Sequence, residues 1–79
     1  MSKREKRLEQ LKNNPTSLTY KEIESLFDNE SYDIQRWKWS HKLIFHRESW
    51  QYASIPIHGW DCKDYYKISL KNFYFTTHK

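Results

Sequence analysis

Tyr32-Asp33-Ile34-Gln35-Arg36-Trp37-Lys38-Trp39-Ser40-His41-Lys42-Leu43-Ile44-Phe45-His46 is the stretch on which the fold turns. Tyr32 and Ile34 alternate with Asp33 and Gln35, and Trp37 and Trp39 alternate with Arg36, Lys38 and Ser40. That period of two belongs to a β-strand with one apolar face. Leu43-Ile44-Phe45 and Tyr52-Ala53-Ser54-Ile55-Pro56-Ile57 continue the β-branched and aromatic bias. The spacing predicts strands near 32–38, 40–46 and 51–57, with Arg47-Glu48-Ser49 as a short polar turn. Pro56 has no N–H to donate to a ladder, so the third strand is expected at an edge.

On either side the period changes to that of a helix. Ser2-Lys3-Arg4-Glu5 has the form of a capping box, Leu8 and Leu11 share a face, and Asn13-Asn14-Pro15 stops the run. Thr19-Tyr20-Lys21-Glu22 is a second capping box, followed by Tyr20, Ile23 and Phe27 on one face with Leu26 beside them. That helix is short and is expected to end near Asp28-Asn29. Asp61 is the expected N-cap of a last helix, with Cys62, Tyr66, Leu70, Phe73 and Tyr74 on one face. Lys63, Lys67 and Lys71 fall on another face, read either as phosphate contacts or as the wet side of an amphipathic helix. The expected order is helix, helix, three antiparallel strands, helix, in a single α+β domain.

Composition narrows the class. The chain has 79 residues and a formal charge of +4, from 14 Lys plus Arg against 10 Asp plus Glu. Apolar residues make up 37%, yet aromatics reach 18%, and large rings build a core from few residues. A chain this short buries only about 60–65% of its unfolded surface, so each large side chain counts. A single cysteine, Cys62, excludes a disulfide-stapled domain and a multi-cysteine zinc module. No apolar run approaches the about 18 residues of a membrane span, and the N-terminus does not read as a signal peptide, so a cytoplasmic protein without membrane contact is expected. Residues 1–30 balance six basic against six acidic groups. The surplus therefore lies in the strands and last helix, where an anionic partner is expected.

Three constellations carry possible chemistry. His41 sits between Lys38 and Lys42. RNA can be cut by its own 2′-OH attacking the adjacent phosphorus, and an imidazole that titrates near neutral pH can move that proton. Nearby lysines would stabilise charge on the phosphorane. The same pattern also describes an exposed strand histidine flanked by solubilising lysines. His58 and Cys62, with His41 and His46, are four possible metal ligands. They lack paired short spacings, and His41 and His46, five apart, point to opposite faces of a regular strand, so no metal is expected. Finally, Arg36, Trp37, Lys38, Trp39 and Lys42 interleave cations with rings, as single-strand nucleic-acid binders do. Trp37 and Trp39 are read equally as core.

Taken in order, these pieces resemble the HicA family of toxins from bacterial type II toxin–antitoxin systems, over about residues 3–75. The basic first helix ending at Asn13-Asn14-Pro15 looks like the opening of the longer members. Thr19-Tyr20-Lys21-Glu22-Ile23-Glu24-Ser25-Leu26 looks like the family's first core helix. Ser40-His41 lies where the family has Gly-Ser-His, and Ile55-Pro56-Ile57-His58 matches its Ile-Pro-x-His. Asp64-Tyr65-Tyr66-Lys67, Leu70 and Phe73-Tyr74 are similar to its closing helix. Of the aromatic that follows the family histidine, Phe45 matches by type and Ile44 by spacing. Trp39 stands at the family's glycine position, a ring where backbone freedom is usual.

The resemblance implies a fold like the double-stranded-RNA-binding domain, α-β-β-β-α, spanning about 18–75, with residues 1–14 as a helical extension. It implies an endoribonuclease that cleaves single-stranded mRNA without a cofactor or metal and arrests translation. The chain would be a monomer alone and would form a hetero-oligomer with a HicB-type antitoxin. His41 carries over as the catalytic histidine. The RNA-contact set expected on both grounds is Arg36, Lys38, Trp39, Ser40, Lys42, His58, Lys63 and Lys67. Two other readings remain: a non-catalytic RNA-binding domain of the same fold, and a protein-interaction module.

Overall fold

The computed structural model describes residues 3–36, 41–59 and 61–77. The elements run α1 (Lys3–Asn13), a 3₁₀ turn (Pro15–Ser17), α2 (Tyr20–Leu26), β1 (Tyr32–Arg36), β2 (His41–His46), β3 (Tyr52–Pro56) and α3 (Asp64–Thr77). The strands form one antiparallel sheet in the order β1-β2-β3, so Pro56 does lie on an edge strand. Tyr32 pairs with His46, Ile34 with Ile44 and Arg36 with Lys42, while His41 pairs with Pro56 and Phe45 with Tyr52.

That register sorts the side chains. Ile44 and Ile55 are buried, and Ile34 and Ala53 pack against the same core. Tyr32, Ile34, Arg36, Lys42, Ile44, His46, Ala53 and Ile55 thus share one face, because directly opposed residues in an antiparallel pair point the same way. Asp33, Gln35, His41, Leu43, Phe45, Tyr52, Ser54 and Pro56 form the other, open face. The helices and the residues that end their turns supply Leu11, Leu18, Tyr20, Ile23, Leu26, Phe27, Leu70 and Tyr74 to the core. Phe27 lies at its centre, edge-on to Tyr32 at 4.8 Å and to Tyr74 at 5.2 Å, and stacked on Phe73 at 5.9 Å. These rings fill the centre of the core, and Leu11, Leu18, Ile23, Leu26, Ile44, Ile55 and Leu70 enclose the rest of it.

Local signals explain the helix ends. Thr19 Oγ1 accepts from the Glu22 N–H at 3.2 Å, and Glu22 accepts from the Thr19 N–H at 3.0 Å, completing the expected capping box. Ser2, the first residue of the other box, lies outside the described residues. α1 is more than an extension: Leu11 is fully buried, and Arg4 and Arg7 donate to Leu26 O and Ser25 Oγ of α2.

Asp61 does not cap α3, which starts three residues later at Asp64. Its Oδ1 accepts from the Tyr20 N–H at 2.7 Å and the Cys62 N–H at 2.9 Å. Tyr20 is the first residue of α2, so Asp61 serves the start of that helix from 41 positions away. Its Oδ2 takes the Lys67 ammonium at 3.0 Å. Burial alone would raise the Asp61 carboxyl; the bonds from Cys62, Lys67 and Tyr20 outweigh it and hold the carboxyl below its ordinary value.

Candidate nucleic-acid interface

β1 ends, β2 begins and β3 ends at one end of the sheet, which gathers Arg36, His41, Lys42 and Pro56. His58 follows two residues after Pro56, in a turn closed by His58–Asp61 backbone pairing. Gly59 within that turn has φ +68, a left-handed conformation that favours glycine. Lys38, Trp39 and Ser40, and Trp37 with them, lie outside the described residues.

Strand alternation divides the expected set. His41 is half-buried on the open face, and its neighbour Lys42 is on the helix-facing side. Lys42 Nζ lies 3.9 Å from Glu24 Oε2, with both side chains about a quarter exposed. Lys42 therefore cannot sit beside His41 as a charge stabiliser in this arrangement; a one-residue step along a strand reverses direction. Arg36 shares the Lys42 side and is exposed at its rim. Glu24 also adds to the burial that pushes the Tyr20 phenol far above its ordinary value.

The lysine stripe of α3 is split as well. Lys63 is exposed just ahead of the helix, whereas Lys67 is only 6% exposed and its ammonium is held by Asp61. Reading Lys67 as a phosphate contact is corrected by that burial: helical spacing places a cation on a face, and the chain crossing that face decides whether it is wet. Cys62 is buried, and burial, followed by the Asp61 charge, pushes its thiol up to about 11. Such a thiol is no nucleophile at neutral pH. Among the described residues, no three His, Cys, Asp or Glu side chains gather as a metal site would need.

His46 faces inward, as its spacing from His41 predicts. It is 6% exposed, with Nδ1 2.7 Å from Ser49 Oγ and accepting from the Ser49 N–H at 3.3 Å. It borders a concavity of about 460 Å³ at the opposite end of the sheet, where the Tyr32 and Thr77 hydroxyls lie 2.7 Å apart. The His46–Ser49 bonds close the β2–β3 turn, and the Tyr32–Thr77 bond ties β1 to the end of α3. By contrast, no hydrogen bond or ion pair to the described residues engages the His41 ring.

The sequence reading missed the rings of the open face. Phe45 and Tyr52 lie 5.6 Å apart across the β2–β3 pair, and Tyr52 is 62% exposed. Trp50, 80% exposed, has φ +63. That left-handed backbone costs an L-residue with a bulky side chain roughly 1–2 kcal/mol. The available signal was Trp50 itself, an apolar ring beside a polar turn. Among the described residues, no helix is long and apolar enough to cross a membrane. No protein-family model matches the chain, and no match is found among curated proteins or solved structures.

Proposed function

We propose that this protein is an endoribonuclease of the HicA-like toxin kind, acting on mRNA and neutralised by a HicB-type antitoxin in the cytoplasm. The observation that carries the reading is the contrast among histidines. His46 is buried and committed to Ser49, while His41 is half-buried on an open sheet face with its ring uncommitted among the described residues. An imidazole so disposed has a proton-accepting nitrogen to offer a substrate. The α-β-β-β-α order from α2 to α3 agrees with the double-stranded-RNA-binding-like fold that the resemblance implies.

In this mechanism His41 takes the proton from a ribose 2′-OH as the oxygen attacks the adjacent phosphorus. The leaving 5′-oxygen is then protonated, leaving a cyclic phosphate end. The charge-stabilising role passes from Lys42 to Lys38, with Arg36 reaching the phosphate backbone from the rim of the helix side, His58 as the secondary proton-transfer candidate and Ser40 orienting the phosphate. Lys63 contacts the flanking backbone. No cofactor is needed for this chemistry.

The test is cleavage of single-stranded RNA by the wild type and His41→Ala, each shown folded by circular dichroism. Activity lost in His41→Ala, with growth arrest on wild-type expression, is expected. A folded wild type that cuts no RNA and is harmless when expressed overturns the nuclease reading. The second reading, a non-catalytic RNA-binding domain, then stands if binding remains, falls steeply with salt and ignores His41→Ala.

A further inference from the structure

The open face of the sheet carries His41, Leu43 and Phe45 in one row of β2, with Tyr52 opposite Phe45 on β3. Trp50, Phe45, Arg47, Asp33 and Gln35 line a shallow groove of about 380 Å³ at the far end of that row. Four steps along the strand separate His41 from Phe45, about 13 Å at the usual rise. The helices cover the other face, so these rings meet no part of the described core.

Two features say what this face receives. The first is charge. Asp33 is the lone carboxylate on the open face of the described strands, and Arg47 lies 3.9 Å from it. The face therefore has no uncompensated negative charge, in a chain of net +4. A polyanion can approach it without repulsion. The second is Trp50, 80% exposed in a left-handed backbone where glycine or asparagine would sit without strain. A tryptophan there contributes little to packing and is disfavoured by the backbone. What it offers is a solvent-facing ring beside Phe45. Strained residues of this sort collect where function needs them.

We propose that Trp50, Phe45 and Tyr52 form a stacking platform for the unpaired bases of a single RNA strand lying along the open face toward His41. This extends the nuclease reading above and rests on it for the identity of the strand. Rings take the bases, since every base has a stackable face, and Arg47 stays with Asp33 at the rim, so no bare carboxylate meets the strand. Duplex RNA, whose bases are already stacked on one another, gains nothing from such a platform. The platform thus makes the protein selective for unpaired RNA.

The test measures binding of a fluorescent 2′-O-methyl RNA strand, which has no 2′-OH to attack and stays intact, alone and annealed to its complement. The variants are Trp50→Asn, Phe45→Leu and Tyr52→Leu, each followed by thermal melting. Trp50→Asn is expected to bind the single strand about tenfold more weakly while melting no lower than the wild type, because asparagine suits the left-handed backbone. Misfolding cannot produce that pair of results. Wild-type preference for the single strand over the duplex is expected as well. Equal affinity for both, or wild-type affinity in all three variants, overturns the platform and leaves the rings to a protein partner or a second copy. Platform-dependent binding without any cleavage of ordinary RNA supports the platform while removing the nuclease. Cleavage that survives alongside unaltered binding in the variants does the reverse.

Discussion

Removing the Asp61 carboxylate will test how this small domain is held together. Asp61→Ala deletes the acceptor for the Tyr20 N–H, the acceptor for the Cys62 N–H and the partner of Lys67. Loss of a helix-start acceptor costs about 1 kcal/mol. Loss of a charge-assisted bond costs about 1.5–3 kcal/mol. An ammonium left buried without a partner costs about 3–5 kcal/mol in a dry site. The Lys67 side chain is 7% exposed but that of Asp61 is 39% exposed, so water reaches one side and the low end applies. These terms overlap, and about 3 kcal/mol is the expected sum. A domain of this length has about 4–12 kcal/mol in all, so the melting midpoint should fall on the order of 15 °C. The assay is urea and thermal unfolding of wild type, Asp61→Ala, Lys67→Met and the double variant. The double variant should be more stable than Asp61→Ala, since it leaves no orphaned charge. The carboxyl is held below its ordinary value when folded, so the unfolded chain takes up the proton first as pH falls. The Asp61 contribution is therefore full above the unfolded value of about 4 and is lost as pH drops through the lower folded value. A cost under about 1 kcal/mol for Asp61→Ala, or a double variant that merely adds the two losses, refutes this account.

Thr19→Ala removes the acceptor of the capping box and should lower stability by about 1 kcal/mol, read by urea unfolding. Phe27→Ala empties the centre of the aromatic core and should cost about 3–5 kcal/mol, enough to leave much of the protein unfolded at room temperature by near-ultraviolet circular dichroism. Lys42→Ala breaks only a partly exposed 3.9 Å pair and should change stability by less than about 1 kcal/mol. Iodoacetamide should label Cys62 in the native protein far more slowly at pH 7.5 than in urea, because the thiol is buried and burial pushes it up to about 11; equal rates would contradict its burial.

Much of the architecture was legible because its signals are local. The switch from period two to period 3.6, the Thr19–Glu22 box, the Asn13-Asn14-Pro15 stop and the edge position of Pro56 all depend on neighbours in sequence. So did the opposite faces of His41 and His46, since five steps along a strand is an odd number. The site was less legible. Arg36 and Lys42 read as companions of His41 because charge was counted along the chain, yet alternation sends His41 to the open face and the other two to the helix side. Asp61 was read as the cap of the helix that follows it; its partner is the helix that starts 41 positions earlier. A carboxylate satisfies whichever N–H the fold brings near, and spacing does not reveal that.

By itself, the sequence determined which segments are helix and which are strand, how the core is patterned, and that large rings share it with aliphatics. Those outcomes follow from side-chain periodicity and backbone preference. Only the tertiary structure decided which lysines are wet, which histidines are free among the described residues, and which rings are core. Lys67 and Lys63 have the same chemistry, but one is crossed by the Asp61 turn and the other is not. Phe27 and Phe45 are equally apolar, but one is enclosed by helices and sheet while the other faces solvent beside Trp50. Burial is set by elements far apart in the chain, and it is burial that separates a structural cation or ring from one available to a partner.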